Sequence, residues 1–160
     1  MKRRNEAGQA LVETALTLPI LLLLILGAAE LARIAYISIE VANAAEAGAL
    51  YGSQNAGTAA DTAGIRAAAQ SDSSDIYKLT GSKVAVDVQP LVCQCEPETS
   101  TDKPTTVTCS DNTTCAAMKL SMETTLTVST SVTIPPIIQI PGLPLSYKLP
   151  GQSVQKVLNN

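Results

Sequence analysis

Two groups of residues in this chain have the types and spacing needed for chemistry. The first is Gly8 with Glu13, five residues apart, where Glu13 directly precedes an uncharged apolar run that extends from residue 14 to residue 29. The second is a set of four cysteines in the C-terminal half. A carboxylate buried in a membrane costs several kcal/mol unless it is paired. The position of Glu13 therefore requires a partner that compensates its charge.

The uncharged run at residues 14–29 predicts a single membrane-spanning helix. As a helix it is roughly 24 Å long, which is shorter than the roughly 30 Å hydrocarbon core, so Glu13 lies at or within the membrane boundary. Lys2, Arg3 and Arg4 precede the run. Because positive residues stay on the cytoplasmic side, we expect a cytoplasmic N-terminus, with the residues after Glu30 outside the inner membrane of a bacterial cell.

Three interpretations of this N-terminal segment compete. The first is a plain signal anchor, and the second is a secretory signal peptide cut near Gly27-Ala28-Ala29. The third is a prepilin, cut after Gly8, which leaves Gln9 as the new N-terminus and keeps the helix. Only the third explains the spacing, because Glu13 of one subunit can then pair with the new α-amine of a neighbour and fix its register.

The residues also carry a family resemblance. The segment Gly8-Gln-Ala-Leu-Val-Glu13-Thr-Ala-Leu-Thr-Leu-Pro19, and later Val41-Ala-Asn43-Ala-Ala-Glu46-Ala-Gly48, resembles TadE-like pseudopilins of tight-adherence (Tad) pilus systems. These belong to the type IV filament superfamily, and the resemblance covers about the first fifty residues. It implies a minor pilus subunit acting in assembly or adhesion, located in the membrane or, once assembled, outside the cell.

The same resemblance implies a set of partners. These are a prepilin peptidase, an inner-membrane assembly platform with its ATPase, and other pilins, with which the chain forms a homo- or hetero-oligomer in a filament. The alternative function, from another class, is a permanently anchored single-pass envelope protein with a disulfide-bonded binding head. In that case Gly8 and Glu13 are dispensable.

The four cysteines, Cys93, Cys95, Cys109 and Cys115, are predicted to form two disulfides outside the membrane. Their spacing is not that of a zinc site, and the chain has no histidine. Since Cys93 and Cys95 point to the same face of a strand, two pairings stay open: Cys93–Cys115 with Cys95–Cys109, or Cys93–Cys109 with Cys95–Cys115. The first, nested pairing is favoured because it suits an antiparallel hairpin.

The predicted fold class is α+β, a pilin-like long N-terminal helix followed by a small antiparallel, disulfide-bonded head. The predicted segments are a leader at 1–8, a helix at 9–56, a short helix and linker at 57–75 with the linker at 71–75, and a β-rich head at 76–160. Within the head, alternation predicts strands at 83–89, at 118–134 with a bend or as two strands, and at 153–158 on an edge. Prolines between 135 and 150 predict an extended segment.

Composition argues against several other function classes. The chain has no His, Phe or Trp and a net charge of −3. Without histidine or a recognisable nucleophile context, we expect no enzymatic activity and no cofactor. No basic stripe with interleaved aromatic residues is present, so we expect no nucleic-acid binding.

Overall fold

The computed structural model describes residues 7–96, 105–110, 113–139, 142 and 144–158. A single long helix, α1, runs from Ala7 to Ser53. The chain divides into two units, the first ending at Tyr36 and the second beginning at Ile37, so that α1 contributes to both. The first unit consists, in its described part, of the apolar portion of α1, and the second is the head.

Three further helices follow α1 in the head: α2 at Ala56–Ala60, α3 at Thr62–Asp72 and α4 at Ser74–Thr80. Asn55 caps α2 by accepting a hydrogen bond from the Thr58 amide at 3.0 Å. Gly81, with φ +71°, ends α4 in the left-handed conformation that glycine adopts without strain.

The helical region extends further than the sequence predicted. The sequence placed a linker at residues 71–75, but α3 continues to Asp72 and α4 begins at Ser74. Ile76 is fully buried and anchors α4 in the core. One buried side chain thus outweighs the poor helix propensity of the Ser/Asp segment.

Within the described residues, five strands form one antiparallel sheet, and a fifth helix, α5 (Thr113–Ala117), lies between β3 and β4 in the sequence. The strands are β1 at Ala85–Val88, β2 at Val92–Cys95, β3 at Thr105–Val107, β4 at Met122–Ile134 and β5 at Tyr147–Lys156. The long strand β4 is central: β1 and β2 pair with it along one side, β5 along the other, and β3 pairs with β2. This arrangement confirms the predicted α+β class with an antiparallel sheet.

Strand lengths differ from the predictions in two places. The bend or division into two strands predicted for residues 118–134 is not seen, because β4 is one continuous strand of 13 residues, of which the ten from Thr125 to Ile134 pair with β5. β5 begins at Tyr147, earlier than the edge strand predicted from residue 153, and includes Pro150. An edge strand tolerates proline, since the missing N–H can face away from the sheet.

The core lies between the inner face of the sheet and the head portion of α1. The inner face is formed by alternate residues of β4, which are all buried: Thr124, Leu126, Val128, Thr130, Val132 and Ile134. The buried face of α1 comprises Ile37, Val41, Ala44, Ala45 and Ala49. The three- and four-residue spacing of Ile37, Val41, Ala42, Ala45 and Ala49 in the sequence predicts this face. Ala42 is the exception, because it is exposed.

α1 and the sheet approach each other so closely that a side chain of the sheet contacts the backbone of α1. The buried hydroxyl of Thr130 donates a hydrogen bond of 2.7 Å to the carbonyl oxygen of Val41 in α1. A Cβ at Gly151, which pairs with Thr130, would lie 2.6 Å from that same carbonyl oxygen. Farther along α1, a Cβ at Gly52 would collide with the Leu126 side chain. Glycine is therefore required where α1 crosses the sheet.

The disulfides join Cys93 to Cys109 and Cys95 to Cys115, with Cα–Cα separations of 5.1 and 5.3 Å. The prediction of two disulfides is confirmed, but the favoured nested pairing is wrong. That pairing assumed that the segment with Cys93 and Cys95 forms a hairpin directly with the segment that contains Cys109 and Cys115. Instead β3 pairs with β2 at Thr105–Val107 and ends before Cys109, which therefore stays beside Cys93. The chain then reverses, and α5 carries Cys115 back to Cys95.

We expect Gly151→Ala to destabilise the head by about 1–3 kcal/mol, because the new methyl group overlaps the Val41 carbonyl and the Thr130 hydroxyl. Chemical unfolding of the detergent-solubilised chain, followed by circular dichroism, measures this change. Gln152→Ala, on the exposed face of the same strand, is the control. Equal stability of the two variants would contradict the close approach.

The hydrogen bonds at the N-terminus of α3 predict that the stability of the head depends on pH. The Gly64 amide and then the Tyr51 hydroxyl donate hydrogen bonds to Asp61 and lower the pKa of its carboxyl below 3.8. A lowered pKa contributes stability at neutral pH that is lost as pH falls through that folded-state value. We therefore expect Asp61→Asn to lower the unfolding temperature at neutral pH and to lose less on acidification than the parent. Asp72→Asn, at the opposite end of α3, is the control and should lose as much stability on acidification as the parent.

Candidate processing and assembly site

The predicted processing residues lie on the first turns of α1. Gly8, Gln9 and Glu13 are all helical and exposed. A Cβ at Gly8 would meet no atom within 4 Å, so packing does not require glycine at this position. Gln9 and Glu13 are four residues apart and share one helix face, with an axial separation of about 6 Å. The basic residues of the predicted leader lie outside the described residues.

The apolar portion of α1 is exposed on every face. The large side chains between Leu11 and Leu26 are 44–72% exposed. Among the described residues, α1 is a helix whose length and composition would allow it to cross a membrane. An apolar surface that surrounds a helix completely needs lipid or other helices to cover it. A single membrane span is the arrangement that this segment supports.

The polar groups within the apolar segment differ in whether they have a partner in the described part of the chain. The Thr14 hydroxyl donates to the Ala10 carbonyl at 2.9 Å, and the Thr17 hydroxyl donates to the Glu13 carbonyl at 3.0 Å. Both hydroxyls are thereby satisfied within the helix, as a lipid environment demands. Within the part of the chain that the structure describes, the Glu13 carboxylate has no ion-pair partner.

The far end of the apolar segment carries an ion pair. Arg33 Nη1 lies 3.4 Å from Glu30 Oε1, one helical turn away. The i,i+3 spacing of Glu30 and Arg33 in the sequence predicts this contact. The two charges mark the point where α1 again becomes suited to water.

The cysteines lie in the head and form a structural unit. Cys93, Cys95 and Cys115 are buried, while Cys109 is exposed. Because the disulfide sulfur has no hydrogen, the Thr124 hydroxyl donates to Cys93 Sγ at 3.2 Å. Each closed loop contributes about 3 kcal/mol in the chain-entropy model. Among the described residues, no group of three or more Cys, Asp or Glu side chains is placed to hold a metal ion.

A cleft lies over the outer face of the sheet, at a place that motif analysis of the sequence did not identify. It has a volume of about 580 Å³ and is lined by β1, β4 and β5, including Asp87, Ser129, Ser131, Lys148 and Gln152. Ser129 and Ser131, alternate residues of β4, lie at its floor, and their period-2 spacing is the signal that the sequence offered. No aromatic side chain lines the cleft.

Comparison with known protein families adds to this geometry. A family model described as TadE-like protein matches residues 8–50. Over these residues the chain is similar to TadE-like proteins. The family resemblance expected from the sequence is thereby confirmed for residues 8–50. The TadE-like match covers somewhat over a quarter of the chain, and the head from Tyr51 onward lies outside it. No curated protein and no solved structure gave a significant match.

Proposed function

We propose that this chain is a minor pseudopilin of a Tad-type pilus, processed after Gly8 and acting in pilus assembly or adhesion. The observation that carries the proposal is the placement of Gly8 and Glu13 at the start of an all-round exposed apolar helix. The TadE-like match supports it, because that match begins at Gly8 itself. The role is structural, and we expect no enzymatic activity.

The local structure around Gly8 suits a peptidase that works at the membrane face. The position is exposed and needs no glycine for packing. Glycine weakens a helix by roughly 0.5–1 kcal/mol relative to alanine, so the first turn can unwind at low cost. A small residue before the scissile bond also leaves room for the peptidase. Cleavage there would give Gln9 a free, positively charged α-amine.

The new amine supplies the charge that Glu13 needs. In a low-dielectric environment an unpaired carboxylate is costly, whereas a carboxylate paired with an ammonium group is compensated. Glu13 of an arriving subunit can take the amine of its neighbour only at one axial offset. The pair therefore fixes the register of one helix against the next, while the exposed apolar faces exchange lipid for neighbouring helices.

The proposed topology follows from the charges and the disulfides. Lys2, Arg3 and Arg4 keep the N-terminus cytoplasmic, which places the head outside the inner membrane, where disulfides form and persist. The partners are a prepilin peptidase, the assembly platform with its ATPase, and other pilins in a homo- or hetero-oligomeric filament. The chain is longer than a typical Tad major pilin, which favours the minor role.

The second candidate is a permanently anchored envelope protein with a binding head. The observation that favours it is the end of the TadE-like match at residue 50, with the outer-face cleft in the part beyond. Under this alternative the mature protein begins at Met1, and substitutions at Gly8 and Glu13 have no effect. N-terminal sequencing of the protein from its native membrane therefore separates the two functions.

We expect Gly8→Arg to abolish processing, because the long cationic side chain blocks the peptidase at the residue before the bond. N-terminal sequencing and intact mass should then show a chain that retains its first eight residues. Gly8→Ala should still be cut. Gly27→Ala is the matched control, since a Cβ at either glycine meets no atom within 4 Å. Cleavage of Gly8→Arg at the wild-type position would contradict prepilin processing.

We expect Glu13→Ala and Glu13→Gln to be processed normally but to enter the filament poorly, because the register-setting charge is lost. The ratio of subunit in sheared pili to subunit in membranes measures incorporation. Glu46→Ala removes an exposed carboxylate from the head portion of the same helix and serves as control. If both Glu13 variants reach the filament at the control level, the pairing mechanism is wrong.

A further inference from the structure

Residues 135–146, which connect β4 to β5 and are called here the β4–β5 loop, are predominantly apolar in sequence. Its described part includes Ile137, Ile138 and Leu145, which are 61%, 47% and 72% exposed. The loop contains no charged residue. Several isoleucine and leucine side chains exposed together in one loop mark an interaction surface more often than a random surface does.

The fold places this loop at one particular end of the head. Thr130 of β4 bonds to Val41 of α1, while Gly52 abuts Leu126. As α1 proceeds from Val41 to Gly52, the contacted β4 residues therefore run backwards, from Thr130 to Leu126. We call the end of the head that contains Ile37 the proximal end, and the end that contains Ser53 the distal end.

The loop projects from the proximal end. From the level of Thr130, β4 continues four residues to Ile134, about 13 Å, and the loop begins there. In the same direction, the distance along α1 from Val41 to Ile37 is only about 6 Å. The loop therefore begins beyond the level of Ile37. The distal end is marked by Leu158, whose amide donates to the Ser53 carbonyl at 2.9 Å.

Covalent connectivity limits how far the proximal end can lie from the membrane. Ile37 follows Glu30, the first charge after the uncharged run, by seven residues in the sequence. Even a fully extended segment of seven residues spans at most about 25 Å. If α1 spans the bilayer, as the proposed function requires, the proximal end is the end of the head at which the chain enters from the outer interface.

We infer that the β4–β5 loop inserts Ile137, Ile138 and Leu145 into the lipid interface, giving the head a second contact with the bilayer before assembly. A loop that binds the lipid interface needs apolar side chains. It inserts more readily when few of its backbone N–H groups lack a hydrogen-bond partner. The described prolines Pro135, Pro136 and Pro144 have no N–H to satisfy. Tyr147 and Lys148 follow directly and supply an aromatic ring and a cation, the residue types that settle at lipid headgroups.

The chain contains no tryptophan, so a single introduced tryptophan reports its own surroundings. Full-length variants Ile138→Trp and Leu145→Trp are reconstituted into vesicles of phosphatidylethanolamine and phosphatidylglycerol, with and without acyl-brominated lipid. Leu158→Trp, at an equally exposed site on the distal end, is the matched control. We expect brominated lipid to quench both loop tryptophans about twofold or more above the control, and aqueous iodide to quench them less.

Leu22→Trp, within the uncharged run, separates failure of this inference from failure of the proposed function. If Leu22→Trp is not quenched by brominated lipid, α1 is not in the bilayer and the proposed function fails with it. If Leu22→Trp is quenched but both loop variants respond like Leu158→Trp, only the loop inference is overturned. Loop tryptophans shielded from iodide and from brominated lipid alike would also overturn it, since protein then covers the loop.

Discussion

The head depends on the contact in which the Thr130 hydroxyl reaches the backbone of α1 at Val41. A side-chain bond to a helix carbonyl requires the helix and the sheet to approach more closely than large side chains allow. The requirement explains Gly52 and Gly151, each of which stands where a Cβ would overlap a neighbour across this contact. Gly48 instead faces α3, where a Cβ would crowd the Ile65 carbonyl and Ala69. It also explains a core built from alanine, valine and isoleucine without phenylalanine or tryptophan. Because such a core buries little area per residue, two disulfides contribute a large share of its stability.

The periodic parts of the fold could be predicted from the sequence, whereas the covalent pairing could not. The 3.6-residue spacing of Ile37, Val41, Ala45 and Ala49 identified the buried face of α1, and alternation identified β1 and β4. The disulfide pairing depends on where β3 stops relative to Cys109, which is a property of hairpin register and not of cysteine spacing. The helical segment at 71–75 depends on Ile76, one buried residue whose effect appears only once the sheet exists.

The candidate site shows the converse relation between sequence and structure. Gly8, Gln9 and Glu13 make no tertiary contact that would explain their identity, and their significance rests on type, spacing and position before an apolar run. The β4–β5 loop was expected only as an extended proline-rich segment. Its placement at the proximal end follows from the antiparallel course of α1 and β4, which requires three-dimensional contacts. The sequence thus predicted the residues suited to processing, and the structure located the β4–β5 loop at the proximal end of the head.

The antiparallel alignment of α1 and β4 also determines how the head responds to mechanical force. A pull on Ile37 along the axis of α1 loads the contacts at Val41 and at Gly52 simultaneously, because both lie on one line parallel to the pull. The helix would have to slide along the strand, breaking the buried bond and forcing side chains past the glycine positions together. Peeling, in which contacts yield one after another, is not available in this direction. Since forced unfolding is governed by the height of the unfolding barrier, shear loading gives this small head mechanical strength beyond what its modest core suggests.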